Sequence, residues 1–297
     1  MPAEGCPFCP GSGRVPASYD VHLYPNDFPA FHFDNPPFSA EGDPFKTTGA
    51  RGACDVVLYS PDHNLLPSQL SVDQWEKVVG LWTRRTKDLF AHPDVEYVAV
   101  FENTGVAIGV TMPHPHGQIY ALPFIPPLVQ TELKSAAEYY DVRGECVYCR
   151  LLADEIEDGR RVVAATEDFV AFLPFYGRFP SEMQICPRRH CGSLIDLSTQ
   201  GLRSLASIIS VVRQKYDNLW GKPMPLMMLL RQRPAKGSHP YFHFHVDILP
   251  IQRSAKKLKY LASMESGTGT FLNDTLPEEQ AALLRETGPA LGVKPET

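Results

Sequence analysis

The sequence predicts an α+β protein built from two copies of one unit. Three observations carry this. Two Cys-x-x-Cys pairs, Cys6/Cys9 and Cys146/Cys149, divide the 297 residues almost in half. Each pair is followed by two histidines at comparable distances: Cys9 to His63 is 54 residues and His63 to His114 is 51, while Cys149 to His190 is 41 and His190 to His243 is 53. A long amphipathic stretch then follows the first histidine of each set, opened by Leu70-Ser71 and by Leu197-Ser198. Self-similarity of this kind marks a duplicated unit.

In chain order, each half reads Cys-x-x-Cys, strands, His, long helix, strand, His-x-His strand. The runs VVLYSPDH (56–63) and MQICPRRH (183–190) lead to the matched histidines. In the first helix Trp75, Val78, Val79, Trp82 and Leu89 form one stripe, and in the second Leu202, Leu205, Ile209, Val212 and Tyr216 do. Spacing of i, i+3, i+4, i+7 puts such residues on one buried face. Ser71 and Ser198 suit the N-cap, where a hydroxyl accepts from the unpaired N–H groups of the first turn. EYVAVFEN (96–103) and PLMMLLRQ (225–232) predict the next strands, and HPHGQIYAL (114–122) and HFHVDIL (243–249) the last. The chain therefore divides into an N-terminal half, 1–125, a connection, 126–145, with a short helix near 131–140, a C-terminal half, 146–265, and a tail, 266–297, whose helix starts near Pro277. Proline suits a first helical turn. The two halves are expected to share one continuous sheet.

Hydrophobic residues make up 43% and charged residues 21%, which fits a packed core and excludes wholesale disorder. A net charge of −6 argues against a nucleic-acid binder, which carries a basic stripe. No apolar run is long enough for a membrane span, and Met1–Arg14 has no signal-peptide core. A reducing, cytoplasmic setting follows, and with it free cysteines in preference to a disulfide framework. Cys54, Cys186 and Cys191 read as structural.

Cys6, Cys9, His63 and His114 offer the two thiolates and two imidazoles of a tetrahedral zinc site, and Cys146, Cys149, His190 and His243 offer a second. Two buried cysteines and unrelated histidines are the plainer reading, and the repeat favours metal. A rival second set would use His239, His243 and His245 with a carboxylate such as Glu132. If His114 holds zinc, His116 is left as an unligated imidazole, a good nucleophile toward phosphorus. Gly117, without a side chain, would let a phosphate approach the backbone, and Gln118 can donate to a phosphoryl oxygen. Zinc would then orient the strand. The glycine-rich run from Asn103 through Gly109 to Thr111 can wrap a phosphate with backbone N–H groups, or simply make turns. Asn26 and Asp27 are a turn signal that could also read a ribose or base edge.

At these residues the sequence resembles the galactose-1-phosphate uridylyltransferases, a branch of the histidine triad superfamily. The likeness rests on FENTGVAIGVTMPHPHGQIYA (101–121), CPFCPGSGRV (6–15), YPNDFPAF (24–31), ARGACDVVLYSPDHNLLPSQLS (50–71), FHFHVDILPI (242–251) and RSAKKLKYLASMESG (253–267), and spans roughly residues 5–285. It implies a duplicated histidine-triad-like unit with an open antiparallel sheet flanked by helices. It implies His116 as the nucleophile that takes UMP, with Gln118, Thr111, Gly109 and Asn103 at the phosphates, Asn26, Asp27 and Val15 at the uridine, and Lys259, Tyr260 and Glu265 at the hexose. It also implies a ping-pong exchange among UDP-glucose, UDP-galactose and hexose 1-phosphates, one or two zinc ions per chain, and a homodimer.

Three departures from the family pattern stand out. Only five residues precede Cys6, where members carry a segment with arginines near the sugar phosphate. Some members bind iron through a Glu and three His. Glu132, His243 and His245 match that set in part, but the Cys146/Cys149 pair favours zinc there. KYLASME departs from one common form at Ala262 and Met264. The alternatives are a related nucleotide-sugar or dinucleoside-polyphosphate phosphorylase with another acceptor or base, and a zinc-held nucleotide-binding scaffold without activity.

Overall fold

The structure is a computed structural model that describes residues 3–37, 47–289 and 291. Met1 and Pro2 at the start of the stretch read for a signal peptide, and 290 and 292–297 of the tail, lie outside the described residues.

The first half contributes strands β1 (His22–Pro25), β2 (Ala53–Leu58), β3 (Tyr97–Thr104) and β4 (His116–Leu122) and helix α1 (Val72–Phe90). Helices α2 (Pro127–Arg143) and α3 (Val147–Asp158) follow. The second half contributes β5 (Val162–Ala165), β6 (Phe169–Phe172), β7 (Met183–Pro187), α4 (Thr199–Leu219), β8 (Leu226–Arg231) and β9 (His245–Pro250). A hairpin, β10 (Gln252–Ser254) and β11 (Lys257–Leu258), and helices α5 (Ser263–Thr268) and α6 (Pro277–Glu286) complete the described chain.

Nine strands form one sheet in the order β1-β2-β4-β3-β8-β9-β7-β6-β5, with every pairing antiparallel. The order is mirrored about the β3–β8 seam: β3 matches β8, β4 matches β9, and β2 matches β7. At the seam Val100 pairs with Leu230 and Glu102 with Met228. The expected duplication is thus realised as one open sheet shared by both halves.

α1 and α4 pack against each other on one face of this sheet. Trp75, Val78, Val79, Trp82 and Leu89 join Leu205, Ile209, Val212 and Tyr216 in a single core with the inward residues of β2, β3, β4, β8 and β9. Full burial of each such side chain contributes about 1.5–3 kcal/mol. Both serine caps form: Ser71 accepts from the Gln74 N–H at 3.1 Å and Ser198 from the Gly201 N–H at 3.1 Å. The other face carries a smaller cluster of Cys6, Phe8, Val15, Tyr24, Val56 and Leu58. Successive strand residues point to opposite faces, so β2 sends Val57 to the helices and Val56 and Leu58 to this second cluster.

Three boundaries differ from expectation. β4 and β9 begin at His116 and His245, so His114 and His243 stand just before them. Pro113 and Pro115 have no N–H to give a ladder. The connecting helix starts at Pro127, earlier than the 131–140 stretch, because Pro is pre-set for a first turn and leaves the helix to run until Gly144 takes the left-handed conformation. Cys146 is the N-cap of α3 and Cys149 lies in its first turn, whereas Cys6 and Cys9 share a tight turn closed by Cys9 N–H to Cys6 O at 3.3 Å. No helix among the described residues is long and apolar enough to cross a membrane.

Candidate active site and metal centres

The structure brings both predicted ligand sets together: the ligand atoms of Cys6, Cys9, His63 and His114, and those of Cys146, Cys149, His190 and His243, all lie within 4.8 Å of one another in each set. In the first, Cys9 Sγ is 3.5 Å from His63 Nδ1 and 3.7 Å from His114 Nδ1, and Cys6 Sγ is 3.9 Å from His114 Nδ1. In the second, Cys149 Sγ is 3.3 Å from His190 Nδ1 and 3.4 Å from His243 Nδ1. Tetrahedral zinc with Zn–S near 2.3 Å and Zn–N near 2.05 Å would hold S and N about 3.6 Å apart. The donors are therefore spaced for such an ion.

The outer nitrogens agree. His114 Nε2 donates to Ser60 O at 2.7 Å and His243 Nε2 to Pro187 O at 2.9 Å, which leaves each Nδ1 as the lone-pair donor to a metal. Burial keeps His114 neutral, pushing it down to about 4. Burial and the neighbouring Cys6 push the Cys9 thiol up to about 11, so a cation is needed to hold both thiolates together. Hydrogen bonds from Cys149, His190 and His243 hold Cys146 well below the usual thiol range.

The rival second set does not assemble. His239 pairs with Tyr241 at 3.0 Å and with Lys236 O at 2.9 Å, and His243 turns its Nδ1 to Cys149. His245 faces Glu132 at 3.4 Å and Asp247 at 3.7 Å. Among the described residues, the groups that could hold a metal are the two Cys2His2 sets.

His116 opens β4, half-buried, with its Nδ1 2.8 Å from the carbonyl oxygen of its neighbour His114. Nδ1 carries the proton in that bond, so the neutral ring has its lone pair on Nε2. The ring of Phe8 lies against both His114 and His116, at 6.0 and 5.9 Å between centroids. Gln118 shares the face of His116 by strand alternation and pairs across the ladder with Phe101. Asn103, two residues on from Phe101 and one before the end of β3, lies on the same side. Thr111 and Gly109 lie on the exposed β3–β4 loop, where Gly105 and Gly109 both take positive φ.

Other predicted residues have additional duties. Val15 packs between the Cys6 turn and β2. Asn26 Oδ1 accepts from the Phe28 N–H at 2.9 Å, making the turn its sequence signals. Asp27 accepts from Tyr24 Oη at 2.8 Å and from Arg14 at 2.8 Å. Gly117 departs from expectation: it is buried and points to the helix layer, away from His116, so its missing side chain does not serve phosphate approach. Lys259 and Glu265 form an ion pair at 3.0 Å and, with exposed Tyr260, line a cavity of about 740 Å³. Its lining residues all fall between Arg253 and Asp274, and neither His116 nor Gln118 is among them. A neighbouring cavity is lined by Gly105, Val106 and Ala107 of the β3–β4 loop together with Gln252, Lys256 and Leu258.

Sequence reasoning missed Tyr19, whose hydroxyl donates to Phe8 O at 2.6 Å and lies 3.1 Å from His114 Nε2, and Tyr59, which backs β4. It also missed the ion pair of Glu102 and Arg213, both 1% exposed. One signal was present: Arg213 is a charge four residues beyond Ile209 on a buried stripe.

The family described as galactose-1-phosphate uridyl transferase matches this chain twice, its N-terminal domain over residues 3–126 and its C-terminal domain over residues 132–292. A galactose-1-phosphate uridylyltransferase of Thermotoga maritima is 41% identical over 95% of this chain and 89% of its own length. A solved uridylyltransferase structure superposes with a TM-score of 0.91 at 34% identity, covering 96% of this chain and 91% of that one. An ADP-glucose phosphorylase from Arabidopsis thaliana with bound ADP-glucose superposes with a TM-score of 0.81 at 25% identity, covering 95% and 89%. With both domain matches and this identity across the shared length, the chain belongs to the galactose-1-phosphate uridylyltransferase family.

Proposed function

We propose that this transferase moves UMP between UDP-glucose and galactose 1-phosphate in two steps, through a uridylyl group on His116. The observation that carries the reading is the bond from His116 Nδ1 to the His114 carbonyl oxygen, which in the neutral ring makes Nε2 the attacking nitrogen. In the first step Nε2 attacks the α-phosphorus of UDP-glucose, a P–N bond forms, and the P–O bond to glucose 1-phosphate breaks. In the second, a phosphate oxygen of galactose 1-phosphate attacks the same phosphorus and the P–N bond breaks. Splitting one displacement in two lets the same site serve both sugars. Gln118, Asn103, Gly109 and Thr111 would hold the phosphates, and Asn26, Asp27 and Val15 the uridine.

Both Cys2His2 sets suit zinc, whose part here is to fix the histidine-bearing segments. Cys6, Cys9, His63 and His114 would hold one ion, and Cys146, Cys149, His190 and His243 the other. A homodimer belongs to this reading. The Lys259, Tyr260 and Glu265 cavity has neither His116 nor Gln118 in its lining, and in this reading a second copy of the chain completes the site.

The likeness to an ADP-glucose phosphorylase supports a second reading, in which inorganic phosphate accepts the nucleotidyl group. Label exchange tests both. Protein mixed with UDP-glucose and labelled glucose 1-phosphate, and nothing else, should move label into UDP-glucose. Absence of that exchange with any nucleotide sugar sinks the two-step route. Subsequent addition of galactose 1-phosphate or inorganic phosphate separates the acceptors.

A further inference from the structure

Gly117 follows His116 and faces the helix layer. A Cβ built on it would lie 2.1 Å from Tyr59 Oη, 2.9 Å from Tyr59 Cζ and 3.1 Å from Phe101 O. The Tyr59 hydroxyl therefore occupies the place of a side chain at position 117. The same residue also holds the other side of His116, because its backbone N–H donates to Pro115 O at 3.0 Å. Tyr59 is fully buried, and its ring is packed by Trp75 at 5.4 Å and Trp82 at 5.9 Å between centroids.

Beyond the hydroxyl lies the Glu102–Arg213 pair, 3.2 Å apart. Thr104 Oγ1 donates to Glu102 Oε1 at 2.6 Å and accepts from Arg213 Nη2 at 2.9 Å. Tyr59 Oη, Glu102 Oε2 and Arg213 Nε and Nη1 are buried without a completed hydrogen bond among the described residues. Burial and the facing Glu102 carboxylate keep the phenol protonated. Burying a hydroxyl without a full hydrogen bond is unfavourable. A Phe at 59 would keep the aromatic packing, so packing alone gives no reason for the hydroxyl, whose facing partner is the Glu102 carboxylate.

We propose that Tyr59 is a positioning residue for His116: its hydroxyl against Gly117 and its N–H on Pro115 set the depth of the nucleophile's segment, and the Glu102–Arg213 pair sets the hydroxyl. This rests on the reading of His116 as nucleophile. The pair also ties β3 of the first half to α4 of the second, so the seat of His116 draws on both copies of the unit. Displacements below an ångström at a reacting atom are costly, because in-line attack needs both distance and angle.

The test is single-turnover transfer from UDP-glucose to the full-length, metal-loaded protein, followed by mass spectrometry. Tyr59→Phe should keep metal content, UDP-glucose affinity and melting temperature, while the rate of His116 uridylylation falls about 10–100-fold, the scale of a misplaced reacting group. Gly117→Ala should slow it further. Tyr59→Phe added to Gly117→Ala should restore part of that loss, since removing Oη relieves the closest contact. A wild-type uridylylation rate in Tyr59→Phe overturns the positioning role and leaves His116 standing. Wild-type protein that forms no adduct overturns both.

Discussion

His245 occupies in the second half the position that His116 occupies in the first. Each stands two residues after a histidine of a Cys2His2 set, opens a matching strand, and places its Nδ1 against that histidine's carbonyl oxygen, at 2.9 Å and 2.8 Å. Their surroundings differ. His116 is half-buried, whereas His245 is 2% exposed, flanked by Glu132 and Asp247, and stacked by Tyr148 at 4.8 Å. One copy leaves the ring half-exposed, and the other encloses it between two carboxylates.

This difference predicts opposite outcomes for two substitutions. His116→Ala should abolish the nucleotidyl adduct and leave stability within about 0.5 kcal/mol, as a partly exposed change does. His245→Ala should keep the adduct and lose about 1–3 kcal/mol, because it leaves buried partners unsatisfied. Denaturant melts and intact mass spectra on both variants check it.

The metal sets predict two ions per chain. Elemental measurement should find zinc near that level, Cys6→Ser should lose one ion and Cys149→Ser the other, and binding should release protons, because Cys9 sits near 11 without a cation. The measurement is proton release in weakly buffered titrations. Iron in place of the second zinc would contradict the second assignment.

Asp247 predicts a pH dependence. Burial opposes its charge, but His245, Arg231 and Arg178 outweigh burial and hold the carboxyl below the usual range. A folded value below the unfolded one means that the contribution is fully present above about pH 3.9 and is lost as pH falls through the folded value. Asp247→Asn should therefore cost about 3–5 kcal/mol at neutral pH, since Arg231, 2.9 Å away, loses its buried partner. The cost should shrink in acid. Urea melts across pH read this directly.

Lys215 predicts a C-terminal dependence. Its buried Nζ donates to the carbonyl oxygens of Leu284, Arg285 and Thr287, at 3.1, 3.2 and 2.8 Å, at the end of α6. Carbonyls at a helix end need such donors. Lys215→Met should destabilise by about 1–3 kcal/mol and raise hydrogen exchange in α6 before the sheet.

What was legible in the sequence was local. The stripes through Trp75 and Leu205 and the caps Ser71 and Ser198 follow from helix geometry within a few residues. The ligand sets were legible because Cys-x-x-Cys and His-x-His repeat in order. Gly117 was misread because its reason is a tyrosine 58 positions earlier that only the β2–β4 pairing brings near. The four-residue strands β1, β5 and β6 have no periodicity of their own and exist through their partners. The placement of Lys259 and Glu265 depends on the hairpin after β9, whose course is set by Ile251 pairing with Pro225.

In the proposed route UMP rests on His116 between two half-reactions. The most direct measurement is peptide mapping of protein treated with UDP-glucose alone, under conditions that spare acid-labile phosphoramidates. UMP is expected on the peptide that carries His116, removed on addition of galactose 1-phosphate. UMP on His245, or exchange of sugars with no protein-bound UMP at any time, would contradict it.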